Sequence, residues 1–259
     1  MSMASEPSYV HGASQVPLLG ETIGHNLDRT AARVPDRDAL VSVHQGLRMT
    51  YAEFHAEVEE VARGLLALDI EPGERVGIWS PNNAEWVVCQ FATAKAGAIL
   101  VNVNPAYRTS ELAYALGQSG VSTLVLAPSF RQADYLDMLD QVAGELPALR
   151  RRVVLGPDAP AGAMRWEELR DAARRVPVDR LRQREALLQF DDPINLQYTS
   201  GTTGFPKGAT LSHPNILNNG YFIGESCGYS EADRVCIPVP LYHCFGMVLG
   251  NLACTTHGA

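Results

Sequence analysis

The stretch RVGIWSPNNAEWVVCQFATAKAGAILVNVNP, Arg75 to Pro105, decides the fold. Arg75 to Trp79 reads as a short strand. Ser80-Pro81-Asn82 breaks it and leads into a helix through about Ala96, and Ile99 to Val103 is a second strand that Asn104-Pro105 ends. A strand, a helix and another strand form the repeating unit of a parallel sheet with helices on its faces.

The rhythm continues in both directions. Upstream, Thr22 to Ala32 predicts a helix closed by Pro35. Ala39 to Val43 and Leu47 to Met49 flank His44-Gln45-Gly46 as a hairpin. Thr50-Tyr51-Ala52-Glu53 has the pattern of a capping box, and Phe54, Val58, Val61, Leu65 and Leu66 then fall on one helical face. Downstream, Thr109 is read as the cap of a helix over Ser110 to Gly117. A strand over Val121 to Leu126, a helix over about Gln132 to Leu146 and a brief strand over Val153 to Leu155 follow. Residues 156–190, rich in Pro and Gly, read as a surface excursion with one helix near Trp166 to Arg175. The class is α/β, with 1–21 as a polar lead and 22–259 as the folded unit. Ligand sites in such sheets lie in loops beyond the carboxyl ends of the strands.

Composition narrows the function. Twenty-one Lys plus Arg against 29 Asp plus Glu give a net charge of −8, which disfavours a nucleic-acid partner unless the positive charge is clustered. The one cluster, residues 150–184, holds ten Arg against five acids, with Trp166 as its sole aromatic. It offers no stacking platform for bases and reads as a solvated Arg/Glu surface. The five cysteines, Cys89, Cys227, Cys236, Cys244 and Cys254, are an odd set without a C-x-x-C pair, which suits a reducing compartment. The N-terminus lacks the basic start and apolar run of a secretory signal. Gln90, Lys95 and Asn102 break the most apolar stretch, so no transmembrane segment is expected and the address is cytoplasmic. Nineteen of the 21 basic residues are Arg, which singles out Lys95 and Lys207.

A strand over Ile194 to Tyr198 empties into Thr199-Ser200-Gly201-Thr202-Thr203-Gly204-Phe205-Pro206-Lys207-Gly208. Glycines let backbone N–H groups approach a ligand, hydroxyls and amides donate to phosphate oxygens, and an ammonium supplies the counter-charge. The segment suits a polyphosphate. It departs from the P-loop pattern, because Pro206 precedes Lys207 and Gly208 follows it. Pro206 also pushes Phe205 away from helical angles, so a loop closing over phosphates is expected. The plain alternative is an ordinary turn between a strand and the helix starting near His213.

YTSGTTGFPKG followed by ATLSHPNILNN resembles the phosphate-loop signature of the adenylate-forming (AMP-binding) superfamily. PLYHCFGMVLG, Pro240 to Gly250, is similar to that family's next motif, which borders the acyl pocket. TYAEFHAEVEEVARGLLALDIEPGERVGIWSPNNAEWVV and GAILVNVNPAYRTSEL resemble the family's N-terminal half. The combination is most similar to medium-chain fatty-acyl-CoA synthetases, from about residue 22 onward.

The resemblance implies the N-terminal domain of the adenylate-forming fold, with parallel sheets flanked by helices and the second sheet cut short. It implies a fatty acid, ATP and coenzyme A as substrates: the acid becomes an acyl-adenylate and is passed to the thiol. By matched position Lys207 serves the outer phosphates, with Thr199, Ser200, Gly201, Thr202, Thr203 and Gly204 wrapping them. His243 stands near the reacting carboxylate, beside Phe245 and Gly246, so Lys207 and His243 are the expected catalytic pair. Cys244 is read as an inert pocket cysteine and His213 as packing at a helix start. Magnesium is expected from the chemistry, but no residue here is assigned to it. In the family its glutamate ligand, and a C-terminal domain with a further catalytic lysine, lie beyond the position of Ala259. The chain by itself is therefore expected to be inactive and, through an unfinished sheet, to self-associate. The alternatives are a short non-catalytic product that binds nucleotide or a partner, and a phosphotransferase; the Pro206-Lys207-Gly208 departure disfavours the latter.

Overall fold

A computed structural model describes residues 16–199 and 206–259. Eleven strands are present among these residues: β1 (Asp38–Ser42), β2 (Leu47–Thr50), β3 (Arg75–Trp79), β4 (Ile99–Asn102), β5 (Thr123–Leu126), β6 (Ser129–Phe130), β7 (Ala133–Asp134), β8 (Arg151–Val154), β9 (Met164–Arg165), β10 (Pro193–Thr199) and β11 (Lys207–Ser212). The helices that matter here are α1 (Ile23–Arg33), α2 (Tyr51–Ala67), α3 (Ala84–Ala96), α4 (Thr109–Ser119), α5 (Tyr135–Val142), α6 (Trp166–Ala172), α7 (Val178–Glu185) and α8 (His213–Cys227). A final helical stretch runs from Cys244 to His257, with a π-helical middle at Met247–Leu252.

Seven strands form one sheet in the order β11-β10-β4-β3-β5-β8-β9. All neighbours are parallel except β10 and β11, which pair antiparallel. Period-two alternation explains why both faces are covered. Val76, Ile78, Leu100, Val125 and Val153 join the core beneath α1, α2 and α3. Trp79, Val101, Leu124, Leu126 and Val154 join a second core beneath α4 and α5. Trp79 stacks on Tyr135 of α5, ring centroids 3.6 Å apart.

The decisive stretch folds as read. Asn83 caps α3 by accepting from the Trp86 amide at 2.8 Å, and Gly97 closes it at φ +76°. The α2 capping box is present, with the Thr50 amide donating to Glu53 at 2.8 Å. Four readings change. Thr109 is the first residue of α4, and the Arg108 backbone serves as cap, its amide donating to Glu111 at 3.0 Å. The helix expected from Gln132 begins only at Tyr135, because residues 129–134 pair as the β6–β7 hairpin and Asp134 takes the Asp137 amide. Residues 156–190 contain β9, α6 and α7 instead of one helix. Lys207–Ser212, read as part of a loop before α8, is a strand that pairs antiparallel with β10.

Eight of the ten arginines of 150–184 are engaged by carboxylates. Arg150 and Arg151 meet Glu74, Arg152 meets Asp140, Arg170 meets Glu57 and Glu60, and Arg182 meets Glu59 and Glu185. Lys95 is fully buried, and its ammonium donates to Asp28 and, at 2.6 Å, to Glu185. One of the two lysines is thus a structural ion-pair hub. Among the described residues no helix is long and apolar enough to cross a membrane.

Candidate functional site

The β10–β11 hairpin sets the geometry. Thr199 and Lys207 are register partners, so they face each other where the two strands are joined, and both are exposed. The Thr199 hydroxyl donates to the Lys207 carbonyl at 3.4 Å. Ser200, Gly201, Thr202, Thr203 and Gly204, the remaining residues expected to wrap phosphates, lie outside the described residues.

Helix α4 braces this hairpin. The Tyr198 hydroxyl donates to the Ala115 carbonyl at 3.0 Å, and the Tyr114 hydroxyl donates to the Pro206 carbonyl at 3.1 Å. Gln118 donates to the Tyr114 oxygen at 2.8 Å. Burial raises the Tyr198 phenol above its ordinary value, which keeps it a neutral donor. Arg75, Tyr114, Tyr198 and Lys207 line an open trough of about 680 Å³ along this side of the hairpin.

His243 caps the turn that opens the Cys244–His257 helical stretch. Its Nδ1 accepts from the Phe245 amide at 3.1 Å, which leaves the proton of a neutral ring on Nε2. The ring is exposed, and Phe245 beside it is 56% exposed. Gly246 is required sterically: a Cβ there would lie 2.4 Å from the Pro240 carbonyl oxygen. Burial raises the Cys244 thiol, consistent with an unreactive cysteine. His213 is buried at the start of α8, where its Nδ1 accepts from the Ile23 amide at 3.1 Å. Burial pushes it down to about 4, against the opposing effect of Asp192. It is a packed neutral histidine.

The hairpin and the His243 segment are joined by buried amides that composition and spacing did not single out. Asn102 at the end of β4 and Gln197 in β10 both donate to the Tyr242 carbonyl, at 3.1 and 2.9 Å. Their signal in the sequence is slight: polar residues near the ends of otherwise apolar strands. Among the described residues, the one cluster with metal-ligand chemistry is Asp28, His55 and Glu59. Lys95 and Arg182 already hold its carboxylates, so this donor set does not fit magnesium.

The site sits on a mostly parallel α/β sheet, with a lysine-bearing hairpin and a second motif tied to the same strand. The chain belongs to the AMP-binding enzyme family, whose model matches residues 27–259. It is 45% identical over 266 residues to the medium-chain acyl-CoA ligase ACSF2, mitochondrial, of Danio rerio, and 42% identical over 269 residues to the Homo sapiens protein of the same name. Each match covers 97% of this chain and 44% of the relative, so the chain spans about half the length of the curated relatives it matches. Among solved structures it is similar to the anthranilate CoA ligase AuaEII in complex with anthranoyl-AMP, with a TM-score of 0.80 and 27% identity, covering 96% of this chain and 46% of the other. A long-chain-fatty-acid-CoA ligase (FadD1) from Archaeoglobus fulgidus shares the fold at TM-score 0.80 and 22% identity, covering 98% and 48%.

Proposed function

We propose that this chain forms part of an ATP-dependent acyl-CoA synthetase acting on a medium- or long-chain fatty acid. The observation that carries the reading is the hairpin mouth, where Thr199 of β10 and Lys207 of β11 stand opposite each other and β10 is tied to the His243 segment. In the proposed reaction the carboxylate attacks the α-phosphorus of ATP, pyrophosphate leaves, and an acyl-adenylate forms. The coenzyme A thiol then takes the acyl group and AMP departs. Lys207 offsets charge on the outer phosphate oxygens, while Thr199, Ser200, Gly201, Thr202, Thr203 and Gly204 donate to them. His243 orients the carboxylate, with Phe245 and Gly246 bordering the acyl chain. Such catalysis is chiefly positioning and charge offset, which is what this part of the molecule supplies. Magnesium belongs to the chemistry, and the Asp28, His55 and Glu59 cluster does not fit it. The address remains the cytosol, although the relatives above carry the word mitochondrial in their names; cell fractionation decides between the two.

The test is product analysis of the natural gene product supplied with ATP, a fatty acid and coenzyme A. AMP, pyrophosphate and acyl-CoA are expected; ADP as product would overturn the reading in favour of a phosphotransferase. The second reading, a non-catalytic nucleotide- or partner-binding product, rests on the chain's covering about half of its relatives. It predicts a native product near 28.1 kDa without acyl-CoA synthesis, which intact mass and the same assay would decide.

A further inference from the structure

Three amides stand in line on one face of the sheet. Asn195 in β10 donates to the Leu100 carbonyl and to Asn102 Oδ1, each at 3.0 Å. Asn102 donates to Gln197 Oε1 at 3.0 Å and to the Tyr242 carbonyl, and Gln197 Nε2 donates to that same carbonyl. All three are at least 95% buried: Asn195 is 2%, Asn102 1% and Gln197 5% exposed. Apolar side chains would fill such positions between parallel strands as well, without the cost of burying polar groups. Three linked buried amides, two of which converge on one backbone carbonyl, therefore call for a role beyond packing.

Their placement supplies it. Gln197 stands two residues before Thr199 on the same strand, about 7 Å away at the rise of an extended chain. Tyr242 directly precedes His243. The amides thus bridge the hairpin mouth and the His243 segment. We propose that Asn102 and Gln197 act as an amide clamp, positioning residues that hold His243 in register with the Thr199–Lys207 mouth. This inference rests on the functional reading above. The far end of the segment has a further anchor: Asn102 also donates to Met247 Sδ at 3.0 Å, while Gln90 of α3 donates to the Met247 carbonyl at 3.0 Å and accepts from Asn251 at 2.8 Å, across the π-helical turn. Loss of the clamp therefore loosens Tyr242 to Cys244 while the helix behind them stays docked. Misplacing one reacting group by about 1 Å is enough to cost rate by orders of magnitude.

The experiment is steady-state fatty-acid-dependent ATP–pyrophosphate exchange by the natural gene product and its Gln197→Met and Asn102→Leu variants. Each is expected to lose about 10-fold or more in kcat/KM for the acid, with the KM for ATP within about 2-fold of wild type. The double variant is expected to fall no further than the worse single, because the two amides act on one carbonyl. A merely structural role would lower Tm and the active fraction and leave both KM values unchanged; that pattern overturns the clamp. So does a Gln197→Met enzyme with unchanged kinetics. Should either variant fail to fold, Gln197→Asn keeps an amide but shortens its reach, and it must show the same split between acid and ATP. A wild-type gene product without acid-dependent exchange would instead refute the functional reading, and the clamp with it.

Discussion

At the scale of single residues, the two lysines divide the work between stability and chemistry. Lys95 is fully buried against Asp28, Glu59 and Glu185, which belong to α1, α2 and α7. Removing one partner of such a group leaves charges unpaired, so Lys95→Met should destabilise the fold by about 3 kcal/mol, readable as a lowered midpoint in denaturant. An unchanged midpoint would show that the hub contributes nothing. Burial raises the Asp28 carboxyl, but the hydrogen bond from His55 and the Lys95 ammonium outweigh it, and its pKa is lowered overall. That stability is present above the ordinary aspartate range and is lost as pH falls through the lower folded value.

His213 adds a second acid dependence. Its folded pKa, about 4, lies below the ordinary histidine value, so the unfolded chain binds more protons between the two. The stability His213 confers is complete above about pH 6.5 and is lost progressively toward pH 4, amounting to about 3 kcal/mol. Denaturant titrations across that range should lose this slope in His213→Asn. A slope identical in both proteins would mean that His213 is solvated in the native state.

At the scale of elements, local signals carried far. The capping box of α2, the Asn83 cap and Gly97 end of α3, and the apolar runs of β3, β4 and β5 all mark structure that local chemistry dictates. The signals failed where tertiary context decides. β11, KGATLS, shows no alternation because its first four residues are exposed, and only pairing with β10 makes it a strand. α7 is Arg-rich and follows Pro177, so little in it announces a buried face, yet Leu181 is buried and Arg184 donates to the Ile70 and Ala96 carbonyls, each at 3.0 Å. The site divides in the same way. Lys207 and His243 are proposed from motifs that are local in the sequence, whereas Asn102 and Gln197 gain meaning only once register sets them side by side. The brace from α4 is testable here. Tyr198→Phe removes the bond to the Ala115 carbonyl and should cost about 1 kcal/mol of stability. Gly246→Ala should cost more, about 2 kcal/mol, by driving a methyl into the Pro240 carbonyl. A Gly246→Ala protein as stable as wild type would show that the turn yields freely.

At the scale of the whole molecule, two buried cores clasp one sheet, and the groups proposed to act on substrate gather toward one end of β4 and β10. A groove of about 460 Å³ lined by Phe54, Val87, Ile237, Leu241 and Cys254 has Ala259 on its wall. Residues 1–259 produced alone are expected to associate through such apolar surface and through β11, which among the described residues is an edge strand. Light scattering that shows a stable monomer with cooperative unfolding would contradict this. The most direct test of the proposed chemistry is fatty-acid-dependent exchange of pyrophosphate into ATP by the natural gene product, with and without Lys207→Ala. Exchange that requires the acid and falls by roughly 10²-fold or more in the variant is predicted, as for loss of one charge-stabilising donor. Exchange at the wild-type rate in Lys207→Ala would contradict the assignment of the hairpin to the phosphates.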